Sequence, residues 1–133
     1  MDDFASARKR ILIDFDGVIH KNDHWNWNDG KCTGPAIPGA KEAIFNLSRM
    51  GWEIVVFTAR SSESIANDVC PWLEHNSIVV VKHDAHMRLS SLGYMYCGCD
   101  RPRVTNIKEP AQFYVDDRAY RFTNWDDVTR LVS

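Results

Sequence analysis

The chain has 133 residues, 44% hydrophobic and 26% charged, which suits one soluble globular domain with a sizeable core. A formal net charge of -2 gives no global signal for a polyanion partner, although a local phosphate site does not depend on net charge. Residues 1–10 hold no apolar stretch of signal-peptide type, and no apolar run reaches membrane-spanning length. A cytoplasmic protein without a membrane partner is therefore expected.

Residues 10–15 read as a first strand, because Ile11-Leu12-Ile13 is a continuous apolar run. It ends in Asp14-Phe15-Asp16-Gly17-Val18, two carboxylates one residue apart and a glycine that lets the chain turn. Residues 20–37 are polar and rich in turn formers, and read as a short flap or small hairpin with Asn28-Asp29-Gly30 at its tip. Pro38-Gly39 opens a helix to about residue 50, with Ala43, Ile44 and Leu47 on one face and Gly51 as its stop. Residues 53–57 form a second buried strand that ends in Thr58-Ala59-Arg60.

Ser61 or Ser62 caps a second helix carrying Ile65 and Val69, which Pro71 should break or kink near Cys70. Ile78-Val79-Val80-Val81 predicts a third strand over residues 77–82. Residues 83–107 have no clean period and read as an irregular insertion. A fourth strand, residues 112–115, ends in Asp116-Asp117, and Asn124 caps a final helix over residues 125–132. Strands that are apolar runs alternating with helices argue for an α/β fold with a central, mainly parallel sheet in one domain spanning residues 1–133.

If the sheet is parallel, three strand ends meet at one edge. Asp14, Asp16, Thr58, Arg60, Asp116 and Asp117 then share a crevice, with Lys108 close by in the sequence. Four carboxylates that close repel one another unless a divalent cation neutralises them, and Mg²⁺ beside a substrate phosphate is one solution.

The set resembles the haloacid dehalogenase (HAD) superfamily of aspartyl-phosphate enzymes. Asp14-Phe15-Asp16-Gly17-Val18 is similar to its first motif, Phe57-Thr58-Ala59-Arg60 to its second, Lys108 in Ile107-Lys108-Glu109-Pro110-Ala111 to its third, and Tyr114-Val115-Asp116-Asp117-Arg118 to its fourth. The resemblance implies a three-layer Rossmann-like (HAD-like) fold and a Mg²⁺-dependent phosphatase. By that resemblance Asp14 is the nucleophile, while Asp16 protonates the leaving alcohol, then activates water, and lends its carbonyl to Mg²⁺. Thr58 and the Ala59 amide hold phosphoryl oxygens, and Lys108 offsets charge, with Lys82 as the alternative lysine. Asp14 and Asp117 ligate Mg²⁺, and Asp116 orients a metal-bound water or takes the ligand role itself. Asp at position 16 favours phosphatase or phosphotransferase over dehalogenase. A phosphotransferase of the same family and a non-catalytic phosphate-binding module are the alternatives.

Arg60 either contacts substrate or pairs with a carboxylate. Lys108 lies only four residues before the fourth strand, leaving little room for a helix. Trp25 and Trp27 either stack on an aromatic substrate or pack the flap onto the body. A flap this short implies a capless or near-capless member with an open crevice. That suits a nucleotide, a nucleic-acid 3′-phosphate end or a phosphoprotein. It also suits a sugar or metabolite phosphate closed in by a neighbouring subunit, so an oligomer stays open. Arg8, Lys9, Arg10, Arg101 and Arg103 either line a path for a polyanion or are solvated surface.

The cysteines, Cys32, Cys70, Cys97 and Cys99, should be reduced in a cytoplasmic protein unless they bind metal. His83, His86, Cys97 and Cys99 have spacings that permit a structural Zn²⁺; the alternative is a loop with two small buried thiols.

Overall fold

The computed structural model describes residues 9–21, 31–78, 80 and 102–133. Among these, four strands form one sheet: β1 (Arg10–Asp14), β2 (Glu53–Phe57), β3 (Arg103–Thr105) and β4 (Phe113–Val115), in the order β3-β2-β1-β4. Every pairing is parallel. The α/β character and the parallel sheet expected from the apolar runs are therefore present, and β1 lies between β2 and β4. Among the described residues no helix is long and apolar enough to cross a membrane.

The helices follow their capping signals closely. Helix α1 (Ala40–Arg49) starts after Gly39, at φ 89°, and stops at Met50-Gly51, with Gly51 at φ 92°. Positive φ is cheap for glycine and strained for other residues, so these two positions punctuate the helix. Helix α2 is one rod in three parts: Ser62–Ser64, a π-helical turn at Ile65–Val69, and Cys70–His75. Ser61 Oγ accepts the Ser64 N–H at 3.1 Å and caps it. The break expected at Pro71 is resolved as the π turn just before it, where the proline's missing N–H interrupts the regular bonding. Helix α3 (Trp125–Val132) is capped by Asn124, whose Oδ1 accepts the Asp127 N–H at 2.9 Å.

Register divides the sheet into two unlike faces. Ile11, Ile13, Ile54, Val56 and Val104 share one face and form the core with Ile44 of α1 and Ile65, Val69 and Leu73 of α2. The opposite face carries Arg10, Leu12, Glu53, Val55 and Arg103. Residues 106–112 run from the end of β3 back to the start of β4, and the strand order takes them past β2 and β1. On this face Glu109, 3% exposed, binds Arg103 through both carboxylate oxygens. Arg10 Nη1 donates to the Pro110 carbonyl at 3.0 Å, and Arg10 Nε donates to Glu53 at 2.6 Å. The Tyr114 hydroxyl donates to the Glu109 carbonyl at 2.9 Å. A pinned strap joins β3 to β4 where a crossover helix would be usual, consistent with the short spacing between Lys108 and the fourth strand.

Two expectations are corrected. The strand after β2 among the described residues is Arg103–Thr105, inside the stretch that shows no period; of the strand expected over residues 77–82, the described Ser77, Ile78 and Val80 are not strand. Ile78 and Val80 are 4% and 2% exposed and join the core without being strand; Val79, Val81 and Lys82 lie outside the described residues. β3 escapes a pattern search because two of its three residues are polar and its buried arginine is paired with Glu109, a residue outside the strand. For the same reason Arg10 and Arg103, 3% and 2% exposed, do not line a path for a polyanion. Lys9 sits over the Trp52 ring, 5.1 Å from its centroid.

Removing one member of a buried ion network strands its partners, a loss of about 3–5 kcal/mol. Glu109→Ala is expected to lower the urea-unfolding stability by that order. Arg103→Met combined with Glu109→Leu should cost much less, because no lone charge remains between those two positions.

Candidate functional site

The parallel sheet brings the carboxyl ends of its strands to one edge, and the chemistry collects there. β1 delivers Asp14, with Phe15 N–H bonded to the Phe57 carbonyl at 2.9 Å. β2 delivers Thr58, whose N–H is bonded to the Thr105 carbonyl at 3.0 Å. β4 delivers Asp116 and Asp117. Oxygens of Asp14, Asp116 and Asp117 all lie within 4.8 Å of one another, with Asp14 partly buried and the other two exposed. Three carboxylates at that spacing form an oxygen donor set of the type that hard divalent cations use. Both members of the Asp116-Asp117 pair, which the sequence leaves open as ligands, belong to the cluster.

Local backbone chemistry sets this geometry. Asp116 Oδ1 accepts the Arg118 N–H at 2.8 Å, an Asx turn that orients its carboxylate. Gly17 has φ 92°, and a Cβ there would overlap the Asp117 carboxylate, with its Cγ only 2.8 Å away. The glycine of the first motif thus does two things at once: it turns the chain and leaves room for Asp117 against β1.

Asp14 and Asp16 have opposite surroundings. Burial, then the charges of Asp116, Asp117 and Asp16, push the Asp14 carboxyl up to about 7. Asp16 is 4% exposed. Burial alone would raise it, but the hydrogen bonds from His20 and Arg60 and the Arg60 charge outweigh this and hold it below the usual carboxylate range. Arg60 grips it with two bonds of 3.0 Å, Nε to Oδ2 and Nη2 to Oδ1, and His20 Nδ1 meets Oδ1 at 3.0 Å. Of the two readings for Arg60, the structure shows the carboxylate pair.

The other expected residues are placed as follows. Thr58 is 1% exposed, and its Oγ1 accepts the Arg60 N–H at 3.3 Å, so it stabilises the turn after β2. Ala59 is exposed in that turn. Lys108 is exposed on the strap, its ammonium 5.0 Å from the centroid of the Tyr114 ring, so that an aromatic face is its described contact. Cys32 and Cys70 are free thiols that burial pushes up to about 11, away from nucleophilic use. Trp25, Trp27, His83, His86, Cys97 and Cys99, with the zinc expectation they carry, lie outside the described residues.

Sequence reasoning missed His20, the partner of Asp16. Its only signal was a spacing of four residues from an aspartate, which many surface histidines share. Of the segment expected as a flap or small hairpin, residues 22–30 lie outside the described residues; on either side of them Lys21 N–H bonds the Pro35 carbonyl at 2.9 Å and Ile37 N–H the Ile19 carbonyl at 2.8 Å. Searches against protein-family models, curated proteins and solved structures found no match to this chain.

The raised Asp14 has a consequence for stability. Between its ordinary value of 3.8 and about 7 the folded chain holds a proton that the unfolded chain has released. The Asp14 contribution therefore falls as pH rises through that window. In EDTA, urea-unfolding stability of the wild type relative to Asp14→Asn should decline from pH 4.5 to pH 7.5 and level off above. A difference that is flat with pH would contradict the crowding.

Proposed function

We propose that this protein is a phosphatase of the haloacid dehalogenase type, with a three-layer Rossmann-like (HAD-like) fold, working through an aspartyl-phosphate on Asp14 with Mg²⁺ as cofactor. The observation that carries the reading is the meeting of Asp14, at the end of β1, with Asp116 and Asp117, after β4, within 4.8 Å at one edge of a parallel sheet. The crowding that raises Asp14 is the kind of repulsion a divalent cation relieves. Asp14, Asp116 and Asp117 are the residues that fit such an ion. When bound, Mg²⁺ supplies charge neutralisation for these carboxylates and for phosphoryl oxygens.

The chain's own groups divide the remaining work. Asp14 attacks phosphorus as a carboxylate, forming the acyl-phosphate P–O bond as the ester P–O bond breaks and the leaving group departs as its oxyanion; splitting one displacement into two is the advantage of a covalent intermediate. Asp16, gripped as an anion by three N–H donors, is better suited to accept a proton from the hydrolytic water than to give one to the alcohol. That arrangement favours esters whose leaving group departs without a proton. Thr58 and the Ala59 amide stand at the adjacent strand end as donors to phosphoryl oxygens. Lys108, exposed on the strap next to the anchored Glu109 and described over the Tyr114 ring, is in this reading the cation that offsets phosphoryl charge. The exposed carboxylates of β4 suit an open crevice and a phosphorylated substrate of small or large size.

The test is hydrolysis of para-nitrophenyl phosphate, an ester with an acidic leaving group, with Mg²⁺ and with EDTA. Asp14→Asn is expected to abolish turnover, a loss of at least about 10³-fold given the role of a nucleophile. Asp117→Asn should raise the Mg²⁺ concentration needed for half-maximal activity. Full activity in EDTA, or in Asp14→Asn, would overturn the reading.

A further inference from the structure

We propose that His20 is a positioning residue that couples the base of the hairpin to the Asp16 carboxylate, so that the two move as one unit. Its consequence for turnover rests on the phosphatase reading; the coupling itself does not.

Both ring nitrogens of His20 are committed, in different directions. Nε2 accepts the Gly34 N–H at 2.9 Å, which leaves Nδ1 as the protonated nitrogen that donates to Asp16 Oδ1 at 3.0 Å. One ring therefore bridges the returning arm of the hairpin and the carboxylate. The ring has little room to turn. It is 3% exposed, stacked on Phe15 at 5.1 Å with an interplanar angle of 11°, and met edge-on by Trp72 at 5.0 Å. A side chain held this way transmits a displacement rather than absorbing it.

The other end of the bridge is equally constrained. The Gly34 carbonyl accepts the Trp72 Nε1–H at 3.0 Å, so its peptide groups are held by α2 and by His20 together. A Cβ at Gly34 would overlap the Lys21 carbonyl and approach His20 Nε2 at 3.1 Å. His20 also closes the turn of the first motif, its carbonyl accepting the Gly17 N–H at 2.8 Å, and it bridges to Ala36 across the hairpin. Movement of residues 34–37 thus reaches the Asp16 carboxylate through the His20 ring as well as through the backbone bonds around it. Without His20, the side-chain bonds described to the Asp16 carboxylate are the two from Arg60, and its direction is set from that side.

Two substitutions separate the halves of the bridge. In His20→Asn the amide N–H stands where Nδ1–H does, retaining the bond to Asp16 but not the one to Gly34. In His20→Gln the amide oxygen reaches the place of Nε2, retaining Gly34 but not Asp16. Coupling predicts that both lower kcat by about tenfold, the scale of one lost buried hydrogen bond, with KM changed less than about threefold. A role confined to core packing or to one end leaves at least one of the two variants at the wild-type kcat and overturns the proposal.

A second measurement needs no turnover. Asp16 and Gly34 share no described bond, so hydrogen exchange at the Gly34 amide in Asp16→Ala, which removes the acceptor of the His20 Nδ1–H, reads the coupling. Exchange there about tenfold faster than in the wild type is expected, with amides of β2 unchanged. Unchanged exchange at Gly34, or ring nitrogen shifts that put the proton on Nε2 of wild-type His20, would overturn the inference. If the wild type hydrolyses no phosphate ester, the phosphatase reading fails and this exchange experiment still decides the coupling.

Discussion

The burial of Phe15 at the end of β1 is the constraint on which the candidate site depends. Strand alternation sends Ile11, Ile13 and Phe15 into the helix-covered core and leaves Asp14 on the other face. Phe15 is wholly buried, stacked on His20 and met edge-on by Trp72, and the chain turns immediately after it. Two carboxylates one residue apart consequently enter different electrostatic worlds. Asp14 faces the anions at the end of β4, and Asp16 faces a guanidinium and an imidazole. Environments that push two neighbouring acids in opposite directions are a usual way for one site to hold groups with separate tasks.

The second organising device is the charged strap on the far face of the sheet. Parallel sheets are ordinarily covered by helices on both faces, because each strand is apolar on both sides. Here the far face begins with Arg10, Glu53 and Arg103, and it is closed by seven residues that carry Glu109 into the gap. The ion network costs desolvation, and its return is geometric: it locks the backbone directly after Lys108, at Glu109 and Pro110, through Arg10, Arg103 and Tyr114. A lysine on a pinned backbone retains only its own side-chain freedom. The site and the strap are thus two ends of the same arrangement, joined through β4, whose Tyr114 anchors the strap and whose end presents Asp116 and Asp117.

Much of this was legible from residue pattern. β1 and β2 announced themselves as unbroken apolar runs, α1 by its glycine boundaries, and α3 by Asn124, because each signal is local and short in range. The clustering of Asp14 with Asp116 and Asp117 followed from a single assumption, that the strands run parallel. β3 was not legible: Arg103-Val104-Thr105 has one apolar residue, and its burial depends on a carboxylate six positions along. Ile78 and Val80 misled in the opposite sense, since burial in a core and membership of a sheet leave the same apolar signature.

By itself, the sequence determined the elements whose stabilising contacts lie within a turn or along one strand, and the order in which polar groups leave the strand ends. Only the tertiary structure decided who meets whom. That Arg60 holds Asp16 across 44 positions, that Glu109 buries Arg103, and that one ring of His20 spans Asp16 and Gly34 are facts of pairing between distant segments. Charge and hydrogen-bonding capacity are written in each residue, but the partner that satisfies them is chosen by the fold, because burial makes an unpaired group too costly to leave alone.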